Sequence, residues 1–274
     1  MQLTAIRWTT STWNPMSGCV AVSPGCKFCY ARTLAENKRG TAAFPNGFDL
    51  TIRPHKLGEP TKVKTPSLIF VNSMSDLFWE KVEDSYRDRV LDVIESTPQH
   101  QYQVLTKRHE NLVRYSQRRK LPANFWAGVT VEDQERADVR IPALLNVDVP
   151  VRFLSVEPAL SLVDVRPWIK HLHWAIWGGE SGTHLMDAKW RDLRGCATRD
   201  DKGKWAPRVD RMDWPRALRD ACAGAGVPFF FKQWGGVRPT SAGHELDGKR
   251  WEQFPDVQAV AVTGHRLQQS SLAL

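Results

Sequence analysis

Phe125-Trp126-Ala127-Gly128-Val129 is followed at once by Thr130-Val131-Glu132-Asp133, and this step from an apolar run to hydroxyls and carboxylates decides the fold. A strand with one wet face alternates apolar and polar residues, whereas a run that is apolar throughout is a strand covered on both faces. Five more runs share this character: Leu68-Ile69-Phe70-Val71, Tyr102-Gln103-Val104-Leu105, Val151-Arg152-Phe153-Leu154, Trp174-Ala175-Ile176-Trp177 and Val227-Pro228-Phe229-Phe230-Phe231. Between them lie segments with helical spacing. Tyr86 to Ser96 carries Val90, Leu91 and Ile94, and Trp214 to Ala223 carries Leu218, Ala221 and Cys222. Strand–helix alternation predicts parallel βαβ units.

Each run ends on groups that can do chemistry. Val71 is followed by Asn72-Ser73-Met74-Ser75-Asp76, Leu105 by Thr106-Lys107-Arg108, and Leu154 by Ser155-Val156-Glu157-Pro158. Trp177 is followed by Gly178-Gly179-Glu180-Ser181-Gly182, and Phe231 by Lys232-Gln233-Trp234. In a (β/α) barrel these strand ends share one face, where the active site sits; an open doubly wound sheet uses fewer loops. The expected fold is therefore α/β, a partial (β/α) TIM-like barrel of six or seven strands.

The 274 residues suffice for one large domain, and 42% hydrophobic with 25% charged residues is ordinary for a globular protein. No stretch approaches the ~20 apolar residues of a membrane span, and Met1 to Thr12 lacks the apolar core of a secretory signal. No membrane association and a cytoplasmic location are expected. The net charge of +8 favours a polyanionic partner, DNA or a nucleotide. The densest basic stretch runs from Lys107 to Lys120; its alternative reading is a solvated helix face. Among twelve Trp residues, Trp126, Trp174 and Trp177 are expected in the core, leaving Trp79, Trp205 and Trp234 as candidates for base stacking.

Three of five cysteines crowd into Gly18-Cys19-Val20-Ala21-Val22-Ser23-Pro24-Gly25-Cys26-Lys27-Phe28-Cys29-Tyr30, spaced C-x6-C-x2-C. Pro24-Gly25 can turn the chain so that Cys19 joins the C-x2-C pair. In a reducing compartment such a cluster reads as metal-binding or catalytic rather than as disulfides. Three thiolates suit a [4Fe-4S] cube with one iron left open, and an open iron can chelate the amino and carboxylate groups of S-adenosylmethionine (SAM). A structural zinc ion on three Cys and one His is the competing reading; no His lies between Met1 and Ile52. Cys196 and Cys222 stand apart and read as bystanders.

The three-cysteine segment, with Trp8-Thr9, Thr12-Trp13-Asn14-Pro15 and Cys29-Tyr30-Ala31, resembles the radical SAM superfamily, and within it the phage and prophage three-Cys-motif radical-SAM-like family. Asn72 to Phe78, Leu105 to Arg108, Val131 to Gln134, Arg152 to Pro158, Gly178 to Gly182 and Pro228 to Gly235 continue the resemblance, which covers residues 6 to 236. The chain departs from the superfamily's commonest spacing, which has three residues where this chain has six between Cys19 and Cys26. A barrel of radical SAM type over 1–236, an insertion near 195–213, and a partly disordered C-terminal extension over 237–274 are the implied domains.

The resemblance implies site roles residue by residue. Cys19, Cys26 and Cys29 would ligate the cluster, and Phe28 would pack near the adenine of SAM. Asn72, Ser73, Ser75 and Asp76 fall where the superfamily contacts the methionine amino group. Gly178-Gly179-Glu180 looks like that contact motif but falls four strands late, so its glycines read as close backbone approach to a ligand, with Glu180 touching SAM or substrate. Thr130, Glu132, Ser155 and Glu157 are candidate ribose partners, and Lys107, Arg108, Lys232 and Gln233 candidate substrate contacts. The implied activity is a radical SAM isomerase or lyase on a nucleobase or nucleotide. Its concrete form is rearrangement of a hypermodified pyrimidine, a thymidine amino-acid adduct, in phage DNA within the host cytoplasm. An electron donor such as flavodoxin or ferredoxin would be needed. The alternatives are a radical SAM DNA-lesion repair lyase, a zinc-stabilised non-catalytic nucleic-acid-binding protein, and a barrel hydrolase with a metal on strand-end carboxylates.

Overall fold

A computed structural model describes residues 1–256. In chain order its first half holds β1 (Gln2–Leu3), β2 (Ser11–Trp13), β3 (Met16–Ser17), α1 (Tyr30–Glu36), β4 (Thr51–Ile52), β5 (Leu68–Val71), α2 (Asp84–Glu95), β6 (Gln101–Thr106) and α3 (His109–Arg118). The second half holds β7 (Phe125–Thr130), α4 (Gln134–Leu145), β8 (Val151–Ala159), β9 (Trp174–Gly179), α5 (Ala188–Arg194), β10 (Ala197–Arg199), β11 (Trp205–Pro207), α6 (Asp213–Ala225) and β12 (Phe229–Gln233). The main sheet has the order β1-β2-β5-β6-β7-β8-β9-β12. From β2 to β12 every neighbour is parallel, and only β1 runs against β2. This is a partial (β/α) barrel of seven parallel strands. All six apolar runs are strands in it. The seventh, β2, is only three residues of Ser-Thr-Trp, too short and polar to show as a run.

Alternation along the strands sorts two cores. Ile69, Val71, Val104, Val129, Leu154 and Phe231 face outward and pack with Val90, Leu91 and Ile94 of α2, Ile141 of α4, and Leu218 and Cys222 of α6. Phe70, Trp126, Phe153, Trp174, Ile176 and Phe230 face inward around Trp8. Trp8 lies 4.6 Å from Phe70 and 6.1 Å from Trp174, ring centre to ring centre, in tilted and edge-on contacts that favour the aromatic quadrupoles. A Cβ at Gly128 would sit 2.3 Å from the Phe153 ring, so glycine there admits that ring to the floor. The aromatic floor fills the lower interior, and polar residues occupy the C-terminal mouth.

Several expectations are revised. The basic stretch after Lys107 is matched by an acidic row on α2: Arg114 pairs with Asp84 at 2.9 Å, Arg118 with Asp88, and Arg119 with Asp92 at 2.7 Å. These arginines join two helices rather than await a phosphate. Trp79 and Trp234 are buried, which removes them as stacking surfaces; Trp205 is half-buried under Arg199, 4.9 Å from its ring. Within the insertion near 195–213, Cys196 is fully buried and leads into the β10–β11 hairpin. The described part of the C-terminal extension, 237–256, lies along the last strand of the sheet. Trp251 accepts from the Phe231 amide at 2.8 Å, and Glu252 bridges Phe230 in antiparallel sense. The expected disordered tail from Gln268 lies outside the described residues. Among those described, no helix is long and apolar enough to cross a membrane.

Candidate functional site

The cysteine segment leaves β3 and crosses the C-terminal rim of the sheet to reach α1. Gly18 opens it at φ +97°, where a Cβ would meet the Asp49 carbonyl oxygen at 2.4 Å, so only glycine fits. Its amide donates to the Met74 carbonyl at 3.0 Å, fixing the segment to the loop after β5. Pro24–Cys26 then forms a 3-10 turn, the bend expected from Pro24-Gly25, and Cys29 precedes α1 as its N-cap residue. All three cysteines are half-buried free thiols.

Two buried charged residues clamp this segment. Arg108, with only 7% of its surface exposed, donates to Cys19 Sγ at 3.4 Å and to the Val20 carbonyl at 3.0 Å. Its remaining donors reach Asp76 at 3.2 Å and Glu80 at 3.1 Å. Glu132 is completely buried and accepts from Lys107 at 2.5 Å, from Arg140 at 2.8 Å and from the Ser23 hydroxyl. Gly25 lies so close that a Cβ there would touch the Glu132 side chain at 2.5 Å. Burial alone would raise the Glu132 carboxyl, but the Lys107 and Arg140 charges outweigh it and hold the group ionised below its usual range.

Four of the five N–H donors of Arg108 are engaged within the chain, and Glu132 accepts three internal hydrogen bonds; both hold the loop. Asp76 is similarly engaged, by Thr106 at 2.7 Å, the Phe78 and Lys107 amides at 3.0 and 3.1 Å, and Arg108. Ser73 bonds Asn14 at 3.1 Å and Ser75 the Met16 carbonyl at 3.3 Å. Lys232 pairs with Glu157 at 2.5 Å, and Gln233 donates to Glu157 at 3.3 Å and to the Gly179 carbonyl at 3.4 Å. The substrate contacts expected from Lys107, Lys232 and Gln233 are thus internal pairs as the side chains stand.

Asn72 differs from its neighbours. It sits just past β5 at φ +64°, buried, and neither side-chain polar atom has a partner. The Ser155 hydroxyl is likewise buried and unpartnered, on the inward face of β8. Unsatisfied polar atoms cost free energy, and they cluster where a ligand completes them. Thr130 is buried at the end of β7, on the inward face with Trp126. Gly178 lets Glu157 approach, since a Cβ there would meet its carboxyl carbon at 3.0 Å; Gly179 lets the Trp234 carbonyl approach.

Glu180 and Phe28 meet a residue the sequence did not flag. Trp190 of α5 donates through Nε1 to Glu180 at 2.7 Å and stands edge-on to Phe28 with ring centres 5.6 Å apart. Burial pushes the Glu180 carboxyl up to about 7, against the opposing pull of the Trp190 N–H and the charges of Lys27 and Lys107. The sign follows from linkage: above an ordinary carboxyl pKa the unfolded chain loses this proton while the folded chain keeps it. Stability then falls as pH rises through the window from about 4.5 to about 7, and levels off above it. Glu180→Gln is expected to flatten that slope and to stabilise the protein at pH 8 by roughly 3 kcal/mol, read from urea melts at several pH values. An unchanged slope would show that Glu180 is ionised throughout.

The donor set fits an iron–sulfur cube: three free thiols on one loop, a cationic N–H on one sulfur, and unsatisfied polar atoms nearby. Cys19 and Cys29 pack against the same small cluster of Ala31, Ala35, Phe48 and Met74, and Cys26 is close enough for its charge to act on Cys19. Burial, then the Asp76 charge, push the Cys19 thiol up to about 11, while Arg108 opposes them. Among the described residues no three His, Cys, Asp or Glu side chains are grouped to hold a metal ion.

Among solved structures the chain is similar to a cysteine-to-serine variant of spore photoproduct lyase, with a TM-score of 0.50 at 11% identity over 82% of this chain and 75% of that one. A second variant of that enzyme, with bound AdoMet and dinucleoside spore photoproduct, gives 0.48 at 9% identity over 82% and 75%. The first likeness is one of fold and agrees with the seven-stranded partial barrel. No curated protein matches the sequence. The family model described as "Protein of unknown function (DUF5131)" matches residues 3–203 and 200–255, and the chain belongs to that family.

Proposed function

We propose that the chain is a radical SAM enzyme of the phage and prophage three-Cys-motif type, acting on a nucleobase or nucleotide. The observation that supports this reading is the loop of three free thiols, clamped across the C-terminal mouth of a partial barrel beside the unpartnered Asn72 and Ser155. Cys19, Cys26 and Cys29 would hold the [4Fe-4S] cluster. When bound, the cluster and SAM supply a carbon radical able to take hydrogen from an unactivated C–H bond, given an electron from a donor such as flavodoxin or ferredoxin.

The chain's own residues do the rest. Arg108 and Glu132 fix the thiol loop to the rim, so its geometry is set before any ligand arrives. Asn72 and Ser155 offer hydrogen bonds to a ligand at no cost in broken internal partners. Glu157 and Lys232 present a paired anion and cation on β8 and β12, the two strands that flank β9, and the aromatic floor closes the chamber against water from below. The preferred substrate is a hypermodified pyrimidine in phage DNA, isomerised at an amino-acid substituent. The fold shared with spore photoproduct lyase favours a second reading, a DNA-lesion repair lyase.

Anaerobic reconstitution tests the proposal. The wild-type chain is expected to bind about four irons and four sulfides and to release 5′-deoxyadenosine from SAM with a reductant. Cys26→Ala is expected to lose both. Stoichiometric zinc with no 5′-deoxyadenosine would overturn the reading. Mass analysis of nucleosides from DNA treated with the loaded enzyme separates isomerisation, which conserves mass, from lesion reversal.

A further inference from the structure

The two residues inside the C-x2-C pair, Lys27 and Phe28, are held by an element far away in sequence. The Lys27 ammonium lies 4.3 Å from the Trp190 ring centre and 5.1 Å from that of Phe28, and forms an ion pair with Asp187 at 3.4 Å. Asp187 caps α5 by accepting from the Trp190 amide at 2.7 Å, so the cap and the ion pair share one side chain. Trp190 is fixed from behind by its hydrogen bond to the buried Glu180 at the end of β9. A chain of contacts thus runs from the rigid sheet through Glu180 and Trp190 to the segment that separates Cys26 from Cys29.

We propose that Trp190 is a positioning residue: α5 is a strap that presses Lys27-Phe28 against the rim and so sets the separation and direction of Cys26 and Cys29. This deepens the iron–sulfur reading and rests on it only for its consequence, since the strap is a property of the metal-free chain. Arg108 and Glu132 grip Val20, Cys19 and Ser23, the first part of the loop. The strap supplies the hold on its second part. The indole is needed twice, its face for the Lys27 cation and its N–H for Glu180. Phenylalanine would keep only the first.

Trypsin reports directly on this strap, because Lys27-Phe28 is a cleavable bond in the metal-free protein. Trp190→Ala is expected to speed cleavage there about tenfold, the factor given by about 1.4 kcal/mol of local opening free energy. Trp190→Phe, which keeps the ring face for Lys27 and loses the N–H, should recover part of the protection, and Glu180→Gln, whose amide oxygen still accepts from the indole, should stay near wild type. After reconstitution, Trp190→Ala should broaden the electron paramagnetic resonance signal of the reduced cluster, and Trp190→Phe should restore it. Cleavage of Trp190→Ala at the wild-type rate, or no rescue by phenylalanine, would overturn the strap. If wild type takes up no iron while the protease contrast stands, the strap holds and the cluster reading alone fails.

Discussion

Replacing Glu132 by alanine is expected to cost about 3–5 kcal/mol of folding stability, a large share of the total for a single domain. The carboxylate is wholly inside the protein and partners Lys107, Arg140 and the Ser23 hydroxyl at once. Its loss leaves Arg140, 4% exposed, as an uncompensated buried cation and opens a void under Gly25. Glu132→Gln separates the two effects, since it preserves volume and removes charge; it should show most of the loss. Because Glu132 is held below its usual range, its stabilisation is present above an ordinary carboxyl pKa and is lost as pH falls through the lowered folded value. Urea melts of both variants would measure this. A loss below 1 kcal/mol for either would mean the charges are not interdependent.

Arg108→Met is expected to cost about 3 kcal/mol and, in addition, to release the first part of the thiol loop. The guanidinium serves Cys19, Val20, Asp76 and Glu80, four acceptors that one ammonium cannot span, so Arg108→Lys should fail to rescue. Iron retained after desalting is the second readout. It should fall well below wild type in Arg108→Met under conditions where the variant remains folded by circular dichroism. Full iron content there would show that the clamp is dispensable for the thiols.

The barrel was legible because burial on both faces leaves a direct imprint, an unbroken apolar run, and six strands of the seven carry one. The loop's turn at Pro24-Gly25 was legible for a similar reason: its conformation is set by local residues. Roles that depend on partners far along the chain were not. Arg108 reads as a free cation until Asp76, Glu80 and Cys19 are seen around it, and Arg114, Arg118 and Arg119 read as a phosphate-binding stripe until the carboxylates of α2 face them. Glu132 followed a strand end as a sugar-binding carboxylate would, yet Arg140, eight residues on and one helical face away, claims it. Trp190 gave no signal beyond its identity, since its contacts are with Glu180 and with residues 27 and 28.

The return of residues 251–253 along β12 has a consequence for how copies of the chain meet. The Gln253 amide donates to the Phe229 carbonyl at 3.2 Å, the Gln253 side chain receives the Phe229 amide at 2.9 Å, and Trp251 takes the Phe231 amide. The last strand of an unclosed sheet is ordinarily adhesive, a template on which another chain can add itself. Here that margin is already spent within the molecule, and at high concentration the barrel is guarded against growing, strand upon strand, into a fibre.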